Sequence, residues 1–164
     1  MKKILISLSV IALLGCTNQA TKPLTDLEKA TLITEVTEAG QSAIEAYNKI
    51  DFQTVESCFL DSPEFIAVSG DGSILNFEQK INDTKGFFES ITSLHFTVLN
   101  KEVKVLQKDL AVYTVQIKID ATFKTGEKLT YEKLTVSEIY KKVDNQWKVI
   151  FFQESGLPPV VSGS

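Results

Sequence analysis

The sequence contains no arginine, so all 17 of its basic residues are lysines. Arginine supplies the planar fork that grips phosphate and guanine, and a net charge of −4 repels a nucleic-acid backbone. No nucleic-acid partner is expected, and a phosphorylated substrate is disfavoured, although lysine could serve. Histidine is confined to His95, and cysteine to Cys16 and Cys58. Without a tight carboxylate cluster these fall short of a zinc set, and Asp71-Gly72 reads as a hairpin turn rather than a calcium loop. No glycine-rich phosphate cradle is present either. Neither a metal nor a cofactor is expected. Cys58 lies beside Phe59 and three residues after Val55 on an apolar stripe, which makes it a core residue rather than a nucleophile. There is no internal repeat and no low-complexity tract. With 43% hydrophobic and 23% charged residues, the chain has the composition of one folded domain.

What is present begins with an address. Lys2 and Lys3 precede an apolar run from Ile4 to Leu14, too short for a permanent membrane span but suited to a secretory leader. The run closes on Leu13-Leu14-Gly15-Cys16, which resembles the bacterial lipoprotein signal, in which the cysteine is acylated and becomes the first mature residue. That resemblance implies residues 1–15 as signal peptide, Cys16 as the lipidated residue, and an exported protein held to a membrane through its acyl chains. Residues 16–25 then read as the acylated cysteine and a polar leash. Thr17 stands where an aspartate would favour the inner membrane by enterobacterial sorting, so the outer membrane facing the periplasm is the expected site. With Cys16 consumed, Cys58 has no disulfide partner.

The folded part starts at Thr25-Asp26-Leu27-Glu28, a capping box. Leu32, Val36, Ala39, Ala43 and Tyr47 then recur at helical spacing, broadened by Ile33, Gly40 and Ile44, with Glu35, Glu38 and Glu45 expected in water. Gly40 is costly in a helix and marks close packing against a sheet. Asp51 caps a short second helix with Phe52, Val55 and Phe59 on one face. Two strands, 64–68 and 73–75, flank Ser69-Gly70-Asp71-Gly72. Asn76 and Gln79 repeat the capping-box spacing and open a third helix that turns Phe77, Ile81, Phe87 and Phe88 inward. From Leu94 to Glu154 the residues alternate in long β-branched and aromatic runs. Short turns at 107–109, 125–127 and 144–145 separate them, as in a four-stranded antiparallel meander. The domain is placed at 26–155, with 156–164 as a disordered tail.

This order of helix, helix, two strands, helix and four strands resembles the nuclear transport factor 2-like superfamily and, within it, the SnoaL-like group. Local words agree: Ala46-Tyr47-Asn48-Lys49-Ile50-Asp51-Phe52 as the passage between helices, 61–72 as an acidic turn with the first hairpin, and 140–155 as the closing strands around Trp147-Lys148-Val149. The resemblance implies an α+β fold in which the N-terminal helices pack inside a strongly curved, mainly antiparallel sheet to make a single cone-shaped domain. It also implies a ligand or active site at the open end of the cone in members that have one. Many members dimerise through the outer sheet face.

Parity gives the cone its lining. If Asp144-Asn145 is a two-residue turn, Lys142 opposes Trp147, Tyr140 opposes Val149, Glu138 opposes Phe151 and Val136 opposes Gln153, and opposed residues share a face. Tyr113, Val115 and Ile117 complete that concave face. The candidate pocket is therefore Tyr47, Tyr113, Glu138, Tyr140, Phe151 and Gln153, although aromatics on such a face also serve as plain core. Ile150 and Phe152 fall on the opposite face, where their exposure calls for a homodimer or a covering loop. Family members often carry histidine where Phe151 and Gln153 stand, so the usual acid–base group is missing. Glu138 and His95 are left as catalytic candidates, Glu138 because apolar surroundings raise a carboxyl pKa, against the plainer readings of a glutamate facing water or paired with Lys142 or Lys133 and of a surface or structural histidine. The leading reading is a lipid-anchored, non-catalytic module that binds a small apolar ligand or a protein partner. The alternative is a small isomerase, cyclase or dehydratase using Glu138, with His95 or a tyrosine hydroxyl polarising a carbonyl.

Overall fold

The computed structural model describes residues 23–163. The leader and Cys16 lie outside the described residues. Helix α1 (Asp26–Asn48) starts where Thr25 and Glu28 form a reciprocal capping box, and α2 (Phe52–Cys58) starts where Asp51 accepts from the Thr54 amide. A short hairpin, β1 (Ile66–Val68) and β2 (Ile74–Leu75), leads to α3 (Phe77–Ser90), capped by Asn76 and Gln79. Four long strands follow: β3 (Ile91–Gln107), β4 (Leu110–Phe123), β5 (Lys128–Val143) and β6 (Gln146–Gly156). The chain is α+β, with the sheet order β2-β1-β6-β5-β4-β3 and every pairing antiparallel except β1 against β6.

The sheet curls because its ladders are repeatedly interrupted. The β3–β4 pairing shifts register three times, β4–β5 once and β5–β6 once, and each extra residue bends and twists its strand. Along β4 the residues alternate strictly between buried and half-buried, with Ala111, Tyr113, Val115, Ile117, Ile119 and Ala121 facing inward. The β5–β6 hairpin turns on Asp144 (φ 50°) and Asn145 (φ 61°), residue types that tolerate the left-handed region a two-residue hairpin demands.

Helix α1 lies across the concave face and is fastened at three points. At Gly40 the helix comes so near β4 that a Cβ would sit 2.8 Å from the Tyr113 ring. At its end, Asn48 accepts from the Phe96 amide (2.6 Å) and donates to the Phe96 carbonyl. In its middle, about one and a half turns before Gly40, Glu35 Oε2 accepts from Lys142 Nζ (2.6 Å) and Trp147 Nε1 (2.9 Å). Glu35 was expected in water with Glu38 and Glu45, but an indole and an ammonium from the last hairpin draw it half under cover. Those donors hold its carboxyl below the ordinary range, Lys142 most strongly.

The end of the chain also departs from expectation. Val160–Ser162 forms β7 and pairs with Lys128–Thr130 of β5, along the edge that β6 occupies further on. The break between β6 and β7 falls at Leu157-Pro158-Pro159, where proline cannot supply ladder hydrogen bonds. The segment 156–163 is thus not a loose tail. It extends β6's line after a kink, although its side chains remain exposed.

Candidate functional site

The concave face and the helices do not fill one another. A cavity of about 360 Å³ remains between α1, α3 and strands β3 to β6. Its wall is mainly apolar and aromatic, with Phe96, Phe123, Tyr131 and Phe152 among its members. Tyr47 stacks on Phe96, with ring centroids 5.1 Å apart, and meets Phe88 edge-on. It forms the wall where α1 meets β3. A hollow of this size falls within the range that holds small ligands.

Glu138 points into this cavity. Strict alternation along β5 places Leu134, Val136, Glu138 and Tyr140 on the inner face, and Glu138 pairs with Tyr113 of β4 and Phe152 of β6. Burial pushes its carboxyl up to about 7; the Tyr140 hydroxyl and the Lys80 charge pull the other way and only partly offset this. Burial and the nearby Glu138 carboxylate together push Tyr113 up to about 12, and hold Tyr47 and Tyr140 well above their usual range. Tyr140 is enclosed behind Glu138, edge-on to Tyr113. Its hydroxyl makes no hydrogen bond in the described structure, yet lies close enough to Glu138 for the two to perturb each other's titration. Tyr140 therefore backs the site, whereas Tyr47, Tyr113 and Glu138 line it.

Two residues expected in the pocket lie elsewhere. Between Tyr140↔Val149 and Ile139↔Phe151 the β6 strand carries one extra residue, Ile150, so from there on the partners slip by one. Glu138 opposes Phe152 rather than Phe151, and Val136 opposes Glu154 rather than Gln153. The slip turns Phe151 and Gln153 to the outer face and brings Phe152 and Glu154 inward. Phe152, expected outside, is buried.

His95 is also misplaced by the catalytic reading. It pairs with Asp120, and Asp120 lies between the inward residues Ile119 and Ala121, so both face out and His95 is exposed. Its neighbour Phe96 faces the cavity instead. Burial raises the Cys58 thiol, and Cys58 donates to the Thr54 carbonyl, an arrangement unsuited to a thiolate nucleophile.

The cavity also contains polar groups that were not singled out from the sequence. Lys80, Asp83 and Thr84 of α3 and Glu154 of β6 all line it. The signal for Lys80 was available. It lies three residues after Phe77 and four before Thr84, on the same helical face as Ile81 and Phe88, where a lysine is out of place. Among the described residues no group of three or more His, Cys, Asp or Glu side chains is arranged to hold a metal.

With this geometry in view, the chain can be set beside known proteins. A family model described as a SnoaL-like domain matches residues 36–160. No curated protein matches. Among solved structures, the chain is similar to a proposed dehydratase of the nuclear transport factor 2-like family from Streptomyces avermitilis. The TM-score is 0.69 at 17% identity, covering 78% of this chain and 97% of that one. A nuclear transport factor 2-like superfamily protein from Salmonella enterica serovar Typhimurium gives 0.69 at 17% identity, covering 77% and 92%. A proposed scytalone dehydratase from Novosphingobium aromaticivorans gives 0.73 at 7% identity, covering 82% and 90%. At these identities the likeness is one of fold.

Proposed function

The chain belongs to the SnoaL-like domain family, within the nuclear transport factor 2-like superfamily, and on that premise we propose that it binds a small, mainly apolar molecule in its cone. The observation that carries this reading is the cavity of about 360 Å³, bounded by aromatic rings and open to one buried carboxyl group. A bound molecule would place its apolar body against Phe96, Phe123 and Phe152 and a single hydrogen-bonding group against Glu138. The test is a thermal-shift screen across lipids, sterols and aromatic acids, because a ligand bound only to the native form raises apparent stability. Stabilisation by a compact apolar class is expected. No stabilisation by any of them would move the function to a protein partner.

A second reading is proton transfer, as an isomerase, cyclase or dehydratase would need. A carboxyl titrating near 7 is suited to accept and return a proton at neutral pH. The dehydratase assignments among the structural neighbours lend it support. If Glu138 acts as the base, kcat/KM rises with pH through about 7, and Glu138→Gln abolishes turnover while leaving binding in place. Turnover by the Gln variant would rule this reading out.

The same proposal places the domain in the cell envelope. It rests on Lys2, Lys3 and the Leu13-Leu14-Gly15-Cys16 pattern: acylation at Cys16 would tether the cone to a membrane, the outer membrane before the inner one. Cys16→Ser should release the protein into the soluble fraction, and unchanged membrane recovery would refute the anchor. A homodimer through the outer face is supported by Ile139, Ile150 and Phe151, which stand half-exposed there. Sedimentation showing only monomer at high concentration would remove it.

A further inference from the structure

Lys80 is the least expected side chain in the molecule. It lies on α3 at the cavity wall, only 9% exposed, with Nζ 4.1 Å from the centre of the Phe152 ring. A structural lysine at such a depth ordinarily finds a carboxylate or extends its stem until the ammonium reaches water. Lys80 does neither. Among the described residues no carboxylate oxygen comes within 4.0 Å of its nitrogen. Asp83 of α3, Glu138 of β5 and Glu154 of β6 are near enough to favour its charged form, but burial outweighs them and holds the amine below the usual lysine range.

We propose that Lys80 is a nucleophilic amine that captures an apolar aldehyde or ketone in the cavity as a reversible imine, with Glu138 as the proton carrier. This rests on the reading of the cavity as a small-molecule site and assigns the chemical class of its occupant. A desolvated lysine beside an apolar hollow suits such chemistry, because burial makes its ammonium give up a proton more readily than a solvated one does. In the first step the Nζ lone pair forms a C–N bond to the carbonyl carbon. The C=O π pair moves to oxygen, and a proton passes from nitrogen to that oxygen to give a carbinolamine. In the second step the Glu138 carboxylic acid protonates the hydroxyl, the C–O bond breaks and water leaves. The nitrogen lone pair moves in to form the C=N double bond, and the proton left on the iminium nitrogen returns to the Glu138 carboxylate. One carbonyl and one amine become one imine and one water, with no oxidant or reductant consumed.

The experiment uses the whole folded protein with 4-isopropylbenzaldehyde and cyanoborohydride, which delivers hydride to the imine carbon and fixes it as a secondary amine. Peptide mass spectrometry then reads the adduct at each lysine. The isosteric alcohol, 4-isopropylbenzyl alcohol, cannot form an imine and reports binding alone through the thermal shift. Lys80 is expected to acquire the adduct at least about tenfold faster than the exposed lysines near neutral pH. The alcohol should slow that labelling selectively. Glu138→Gln should slow it further, and Lys80→Met should lose the fast adduct while still melting cooperatively. If the alcohol stabilises the wild type but Lys80 labels no faster than exposed lysines, the imine proposal fails and the binding site stands. If the alcohol gives no stabilisation and Lys80 is not labelled, both fail together.

Discussion

At the scale of single residues, the energetics concentrate on Glu138. Its folded pKa of about 7 lies above the ordinary 4.5 of an unfolded glutamate, so between those values the native state holds a proton that the unfolded chain has released. Stability from this group is therefore full at acid pH and is lost as pH rises through about 7, by roughly 3 kcal/mol in total. Lys80, with its pKa depressed, works in the opposite sense at higher pH, where the native state carries fewer protons than the unfolded one. Comparison with Glu138→Gln isolates the carboxyl, since the amide cannot ionise. The variant should match the wild type near pH 4 and exceed it near pH 8 by roughly that amount in urea denaturation. Equal pH slopes for the two proteins would show that Glu138 is not buried. The inward direction of Glu138 was legible because parity could be counted from Trp147 through a turn that Asp144-Asn145 announces. Phe151 and Gln153 were not, because nothing in Val149-Ile150-Phe151-Phe152 marks Ile150 as the extra residue. A bulge without glycine or proline leaves no local trace, yet it exchanges the two faces of everything beyond it.

At the scale of elements, the caps and turns were the readable part. Thr25 with Glu28, Asp51, and Asn76 with Gln79 each start the helix they announce, since a side-chain acceptor for an orphan amide is a local device that needs no tertiary context. The pairing of β7 had no such mark. Val160-Val161-Ser162 has strand character, but two residues of proline before it and a partner thirty positions upstream hide its role. Gly40 was legible as a point of close packing, and it supports a further prediction. A methyl at that position would lie 2.8 Å from the end of the Tyr113 ring, which has the cavity beside it into which to move. The helix itself gains about 1 kcal/mol when alanine replaces glycine, while overpacking costs roughly 1–3 kcal/mol, so the net loss is at most about 2 kcal/mol and small where the ring can swing into the cavity. Gly40→Ala should thus shift the urea midpoint little but weaken ligand stabilisation strongly, because Tyr113 takes up ligand space. A variant that binds as well as the wild type would mean that α1 can lift away from β4 at no cost.

At the scale of the whole molecule, the cone follows from interrupted ladders, and its hollow follows from the spacing between α1, α3 and the curled sheet. Element order and alternation reveal the first of these. The second depends on how side-chain volumes sum across three layers, and no window of sequence reports it; filled and hollow cones share the same alternating pattern. The hollow matters for function, because a closed core could not admit a ligand to Glu138 or Lys80. A tryptophan at Val136, on the cavity wall, would occupy part of it without removing any fastening of α1. The direct measurement is a fluorescence titration of the wild type and Val136→Trp with the apolar dye 1-aminoanthracene, alongside their thermal melts. The wild type should bind one dye per chain with a blue-shifted emission, and the variant should melt cooperatively yet bind the dye much more weakly. Equal dye binding by the two proteins, or none by the wild type, would contradict an open cavity at the centre of the cone.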